Sequence, residues 1–343
     1  MHEAIYAQPG ALRLVERGNA EALAEAVARL REMERVVLAG IGTSWHAALV
    51  GESLLARVGG LGHRARAFHS FELAQYWPAL DARTGVIVIS HRGSKRFSRE
   101  VLDRGGDRGV SVLVTGKGSE PLTADVTLRT VDQEQSAAHT VSYTCALRLL
   151  ARIAADMADD DEVRHELTEI PDRVALLLGQ ESWDDLAARF AAAGRYWFVA
   201  GGPNTATAYE GALKMSEANH ATAIGVHCEQ FLHGVWAALD ARDAVFLIAL
   251  PGPSYERCLA VARVAYAVGA ALVAIVQEGD REIAKLAAET IVIPPLPEPL
   301  SPMLAVLPVQ LFTYHTALQR GTNPDVMRGD QSAHARARAE LSL

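Results

Sequence analysis

In YEGALKMSEANH, Glu210, Lys214 and Glu217 stand at i, i+4 and i+7, a spacing that brings three side chains onto one face of a helix. His233 follows in CEQFLHG, 16 residues after Glu217. A carboxylate and a histidine sharing a pocket suit the movement of protons between carbon and oxygen near neutral pH. A solvent-facing row of ion pairs would use the same spacing, so the chemistry turns on where this helix lies. It is expected to begin just after the central strand of the second half of the chain, where a ligand would sit.

Three further clusters follow apolar runs or open a helix. In GIGTSWHA, Gly40 and Gly42 permit a tight turn, and Thr43 and Ser44 bring hydroxyls and amides to a helix start, where an anion is stabilised. An ordinary capped turn reads the same way. A dinucleotide loop does not fit, because its third glycine would fall at Trp45. In SHRGSKRFSRE, Ser90, Ser94 and Ser98 supply hydroxyls, and Arg92, Lys95, Arg96 and Arg99 put four positive charges within eight residues of an acidic protein. Arginine binds phosphate bidentately and lysine as a point charge; a solvated basic helix face is the competing reading for Arg96 and Arg99. EQSAAHTVSYT, from Glu134, opens a long apolar helix with small and hydroxylated residues; alone it reads as a capped helix start, and with a phosphate bound nearby its small residues would let a sugar lie close to backbone amides.

These clusters need elements to hold them, and an internal repeat supplies the pattern. At an offset of 160 residues, RVVLAGIGTS from Arg35 falls on RYWFVAGGPN from Arg195, Gly42 on Gly202 and Gly51 on Gly211. Without a gap, the same offset lays 86–89 on 246–249 and 111–116 on 271–276. Each run is short and rich in Val, Ile, Leu or Ala, as strands buried on both faces of a parallel sheet are. Helical patterns from Ala20, His46 and Ser254 lie between them. The reading is α/β: two tandem doubly wound, flavodoxin-like parallel sheets, the first in 1–160 and the second in 161–343. The acidic stretch DMADDDEVRHE, with Pro171 shortly after, reads as a solvated linker helix between them.

The 343 residues hold 33 Lys plus Arg against 41 Asp plus Glu, a formal charge of −8, and half are hydrophobic. That balance disfavours disorder and binding to nucleic acid or to an anionic membrane. The longest apolar run, 13 residues from Val264, is too short to span a bilayer, and MHEAIYAQPG carries no secretion signal, so the protein is expected to be cytoplasmic. Cys145, Cys228 and Cys258 are too few and too dispersed for a disulfide framework or a zinc site, and are expected to be reduced structural thiols. No metal and no cofactor are expected.

Taken together, EAIYAQPGAL at the start, GTS at Gly42, SHRGS at Ser90, EQSAAHT at Glu134, EGALKMSE at Glu210, FLHG at Phe231 and YHTALQRGTNPD at Tyr314 resemble the double sugar isomerase (SIS) family. That family is typified by the isomerase half of glutamine:fructose-6-phosphate amidotransferase. The resemblance implies that Glu217 transfers a proton between C1 and C2, that His233 opens the sugar ring, and that Lys214 and Glu210 line the same pocket. It implies substrate and phosphate contacts at Gly42, Thr43 and Ser44, at Ser90, His91, Arg92, Gly93, Ser94 and Lys95, and at Ala138 and His139. It further implies a homodimer in which the histidine reaches a neighbouring subunit's site. Two departures stand out. The family's SQSGET loop is SHRGSK here, and no lysine follows Lys285 to form the family's imine with a ketose. No glutamine-hydrolysing domain opens this chain, so glutamine is not expected as a substrate, and GTNPD is closer to stand-alone members that deaminate or isomerise amino-sugar phosphates. The expected activity is aldose–ketose isomerisation of an amino-sugar phosphate with release of ammonia; a phosphorylated ketose-amine deglycase and a non-catalytic sugar-phosphate-binding regulator are the alternatives.

Overall fold

Runs such as VVLA and VIVI become central strands because continuous apolar sequence is stable in a sheet only where both faces are covered. In the computed structural model, which describes residues 1–103, 109–119, 122–180 and 182–341, the chain forms two compact units. The N-terminal unit comprises Tyr6–Gln135 and His139–Asp172; the C-terminal unit comprises Arg173–Glu340 with Met1–Ile5 and Ser136–Ala138.

In the N-terminal unit, β1 (Arg35–Gly40), β2 (Ala65–His69), β3 (Thr84–Ile89), β4 (Val110–Lys117) and β5 (Val126–Asp132) run parallel in the order β2-β1-β3-β4-β5. β3 is buried along its whole length, and β1 and β4 at every residue but one. The outer strands are different in kind. β5 alternates buried and half-buried residues, and β2 has a single buried position, so neither shows the unbroken apolar run that marks the inner strands.

In the C-terminal unit, β6 (Tyr196–Ala200), β7 (Ala223–His227), β8 (Ala244–Ile248), β9 (Ala271–Gln277) and β10 (Glu289–Ile293) pair in parallel as β7-β6-β8-β9-β10. This is the strand order of the first sheet. The 160-residue offset also holds in the packing. Gly42 and Gly202, each just after the first strand of its sheet, take φ of 59° and 56°, the left-handed region in which glycine meets no Cβ penalty. A Cβ at Gly51 would strike Leu38 at 2.5 Å, and one at Gly211 would strike Phe198 at 2.5 Å. In both sheets a helical glycine therefore lets the following helix sit close on the same residue of the first strand.

The acidic stretch leads into a helix, Asp161–Leu178, that contains Pro171. Asp156 is not merely solvated: Arg152 and Arg164 each reach it at 2.7 Å.

Candidate active site

Strand order reverses between β1 and β3, and in open parallel sheets the crevice for a ligand opens beyond the carboxyl ends at such a reversal. Gly42, Thr43 and Ser44 follow β1, and Ser90 to Lys95 follow β3. The GIGTS turn needs its glycines. A Cβ at Gly40 would lie 2.2 Å from the Ser44 carbonyl oxygen, and Gly42 enters the helix Thr43–Arg57 from the left-handed region. Thr43 and Ser44 are half-buried at its first turn.

The loop after β3 is folded on itself. The Ser90 carbonyl accepts from Thr115 Oγ1 at 2.7 Å and from the Gly93 amide at 3.1 Å, with Gly93 at φ 69°. Ser90 is buried, and its Oγ has no partner among the described residues. Arg92 and Ser94 are exposed, and Lys95 is half-buried. The loop thus offers charge at its rim and an uncommitted hydroxyl at its base.

His91 is buried, and its Nε2 accepts from the Glu134 amide at 3.3 Å, which places the neutral ring's proton on Nδ1. Nδ1 is buried and finds no acceptor among the described residues. Burial pushes the imidazole below its ordinary pKa, against the opposing pull of the Glu134 carboxylate. The ring meets His139 edge-on at 4.9 Å and rests on Gly116, where a Cβ would come within 2.7 Å of it. His91 and His139 line, with Thr43, Ser44, Thr115 and Tyr143, a cavity of about 20 Å³. That is room for one water molecule, so a sugar ring would lie outside it.

The helix opened by EQSAAHT, Val141–Met157, already has an anion at its start. The Glu134 carboxylate accepts from the Thr140 amide at 3.0 Å, from the Ser142 amide at 2.9 Å and from the Ser142 hydroxyl. The Thr140 and Ser142 amides are thus satisfied from within the chain, the capped helix start that this segment also allows. Ala138 lies in the C-terminal unit, its amide donating to Ser136 Oγ at 3.2 Å.

In the C-terminal unit, Glu210, Lys214 and Glu217 share one face of the helix Thr205–Asn219. They are not a surface row. Glu210 and Lys214 are fully buried, and the Glu217 side chain is 13% exposed. Lys214 Nζ lies 3.4 Å from Glu210 Oε1 and 2.5 Å from Glu217 Oε2. Burial alone would lower the Lys214 pKa, but the two carboxylates outweigh it and hold the ammonium above its ordinary value. The helix does begin after β6, but at 1.5 Å per residue Lys214 and Glu217 lie about 14 and 18 Å from its start. The chemistry-bearing face therefore belongs to the far end of the helix, beside the segment where Asn219 donates to the Thr313 carbonyl at 3.0 Å.

His233 follows the short helix Cys228–Leu232 and has a 74% exposed side chain. Among the described residues its side-chain partner is Glu229 at 3.2 Å, not Glu217, and Glu229 is held in turn by Arg257. The i, i+4 spacing of Glu229 and His233 was available to sequence reasoning, which passed over it; Arg257 carries no local signal.

Residues 189–320 match the family model of the SIS domain. That segment is a SIS domain. The chain is 28% identical over 95% of its length to the glutamine–fructose-6-phosphate aminotransferase (isomerizing) of Chlorobaculum tepidum, and 29% identical over 96% to that of Thermococcus kodakarensis. The chain spans about half the length of the curated relatives it matches, 56% in both of these. Among solved structures, it matches the C-terminal domain of glucosamine-fructose-6-phosphate aminotransferase from Francisella tularensis with a TM-score of 0.82 at 17% identity, covering 95% of this chain and 97% of that one. Tagatose-6-phosphate ketose/aldose isomerase from Escherichia coli gives 0.80 at 19% identity, with 95% and 94% covered. Glucosamine-6-phosphate deaminase from Thermotoga maritima gives 0.69 at 20%, with 92% and 96% covered. At these identities the likeness is one of fold. Two doubly wound parallel sheets are the fold this chain shares with the Francisella tularensis domain. No helix among the described residues is long and apolar enough to cross a membrane.

Proposed function

We propose that the chain is a phosphosugar aldose–ketose isomerase that acts on an amino-sugar phosphate and releases ammonia. The observation that carries this reading is Lys214, a buried ammonium wedged between two carboxylates, only one of which, Glu217, reaches the surface. A carboxylate so placed can take a proton from carbon, while the ammonium beside it can stabilise the oxyanion of the resulting enediolate. In the proposed reaction Glu217 moves the carbon-bound proton from C2 to C1, and His233 moves the proton of the ring oxygen. An amino substrate becomes a ketose imine by this shift; water adds to the imine carbon, and ammonia leaves. Residues 1–160 and 161–343 are proposed as tandem SIS domains of a homodimer. Ser90, Arg92 and Lys95 are proposed to take the phosphate, with Gly42, Thr43, Ser44, His91, Gly93, Ser94, Ala138 and His139 around the substrate. The similarity to isomerizing aminotransferases and the fold shared with an amino-sugar phosphate deaminase support the reading.

The test is a screen of sugar and amino-sugar phosphates in deuterated water, with ammonia measured in a coupled assay. Deuterium should enter at C1 and C2, and ammonia should appear with an amino substrate. The Glu217→Gln variant should keep KM within a few-fold and lose on the order of a hundredfold or more in kcat, since the base is removed and the binding groups remain. Near-normal turnover in that variant would overturn the assignment. Isomerisation with no ammonia from any amino substrate would leave a plain isomerase.

A further inference from the structure

Cys228 and Cys258 are distant in sequence, yet the fold brings their thiols together. Cys228 is the first residue of the helix Cys228–Leu232, and Cys258 lies in the first turn of the helix Tyr255–Val268. Both belong to the same buried apolar cluster, at 1% and 0% exposure. The Cys258 thiol is within hydrogen-bonding reach of the Ile248 carbonyl, at 3.7 Å, and of the Cys228 sulfur. The pair is seated against the backbone that ends β6: a Cβ at Gly201 would come 3.0 Å from Cys228 Sγ and 2.5 Å from Ser254 Cβ. The neighbours in sequence are joined as well, since Glu229, next to Cys228, takes Arg257, next to Cys258, with one contact at 3.2 Å. Glu229 is also the partner of His233.

We propose that Cys228 and Cys258 form a reversible disulfide that tethers the Cys228–Leu232 helix to the Tyr255–Val268 helix and so fixes the segment bearing His233. Hydrogen peroxide is the class of oxidant the pair would use. The Cys228 sulfur attacks one peroxide oxygen, the O–O bond breaks, and the departing hydroxide takes a proton to become water, leaving a sulfenic acid. The Cys258 sulfur then displaces the sulfenic hydroxyl, which leaves with the Cys258 proton as a second water. The two sulfurs lose two electrons and the peroxide oxygens gain them. The two thiols are chemically unequal, as this sequence requires: the hydrogen bond from Cys258 brings Cys228 down to about 7, and the same bond, with burial, raises Cys258. Cys145, buried in the helix Val141–Met157 and pushed up to about 12 chiefly by burial, is the internal reference for an inert thiol.

The disulfide does not depend on the reaction proposed above, so its test uses no activity. The full chain is treated with stoichiometric hydrogen peroxide and mapped by mass spectrometry without reduction, and amide hydrogen exchange is compared across 228–235. The expected result is one cross-linked pair of peptides carrying Cys228 and Cys258, two hydrogens lighter than the thiols, with Cys145 unmodified. Exchange across 228–235 should slow at least tenfold and recover with dithiothreitol. Cys258→Ser should abolish the cross-link and leave sulfenic acid on Cys228. Oxidation of Cys145 in step with the pair, or sulfinic acid on Cys228 with Cys258 still a thiol, would overturn the disulfide. A cross-link with unchanged exchange would overturn its hold on the His233 segment.

Discussion

Lys214 has given up its hydration for two carboxylates, and that exchange is stable only while all three groups remain together. Glu210, Lys214 and Glu217 sum to one negative charge, with Glu210 and Lys214 shut away from water. Removing one partner of a buried ion pair costs about 3 to 5 kcal/mol, because the remaining charge is left desolvated. Lys214→Met should therefore destabilise the fold by roughly that amount at neutral pH, measured by urea denaturation. The variant should also acquire a pH dependence. A buried carboxylate without its cation has a folded-state pKa above its unfolded value, so protons bind the folded state more tightly and stability rises as pH falls. Equal stability of wild type and variant across pH 5 to 8 would show that the ammonium is not what keeps the carboxylates buried. In the wild type the raised Lys214 pKa means that the stabilisation is complete at neutral pH and is lost only as pH rises through the folded value.

At the scale of elements, several helix starts in this chain are capped from within. Glu134 satisfies the amides at the start of Val141–Met157. His69 Nδ1 accepts from the Phe71 amide at 3.3 Å, and His227 Nδ1 accepts from the Glu229 amide at 3.1 Å, so in both sheets a histidine ending an outer strand caps the short helix after it. For an incoming phosphate the loop after β3 offers side chains, with an uncommitted Ser90 hydroxyl, the exposed Arg92 and the half-buried Lys95. Replacing Arg92 and Lys95 together by alanine should leave the unliganded melting temperature nearly unchanged, since Arg92 is exposed and Lys95 half-exposed. Inorganic phosphate at a hundredfold excess over its Kd stabilises a binder by about 2.7 kcal/mol, and most of that gain should vanish in the double variant. An equal rise in melting temperature in both proteins would place the anion elsewhere.

At the scale of the molecule, His233 stands open to solvent. It is 74% exposed and held by Glu229, an arrangement suited to a group that acts on a neighbouring subunit's substrate. If the protein is a two-fold dimer, twice the 36.9 kDa chain by sedimentation equilibrium, mixing two inactive variants tests this directly. Glu217→Gln and His233→Ala, unfolded together and refolded, should recover about one quarter of wild-type activity, because half of the dimers then hold one site with both groups intact. A mixture as inactive as its parents, although dimeric, would assign Glu217 and His233 of the same chain to each site.

Strand patterns and helix faces are short-range properties, and the sequence determined them alone. The six inner strands were legible because burial on both faces demands an unbroken apolar run. The repeat was legible because Gly42 and Gly202, and Gly51 and Gly211, meet the same steric demand in each sheet. The shared face of Glu210, Lys214 and Glu217 follows from helical period. The outer strands β2, β5, β7 and β10 were not read, since partial exposure breaks the apolar run that would mark them. Burial and partnership are decided by topology. Only the tertiary structure placed Lys214 out of reach of water, gave Glu229 its partner Arg257, and brought the Cys228 and Cys258 thiols together. Each of these depends on which element crosses which, a relation between segments far apart in the chain that no local pattern encodes.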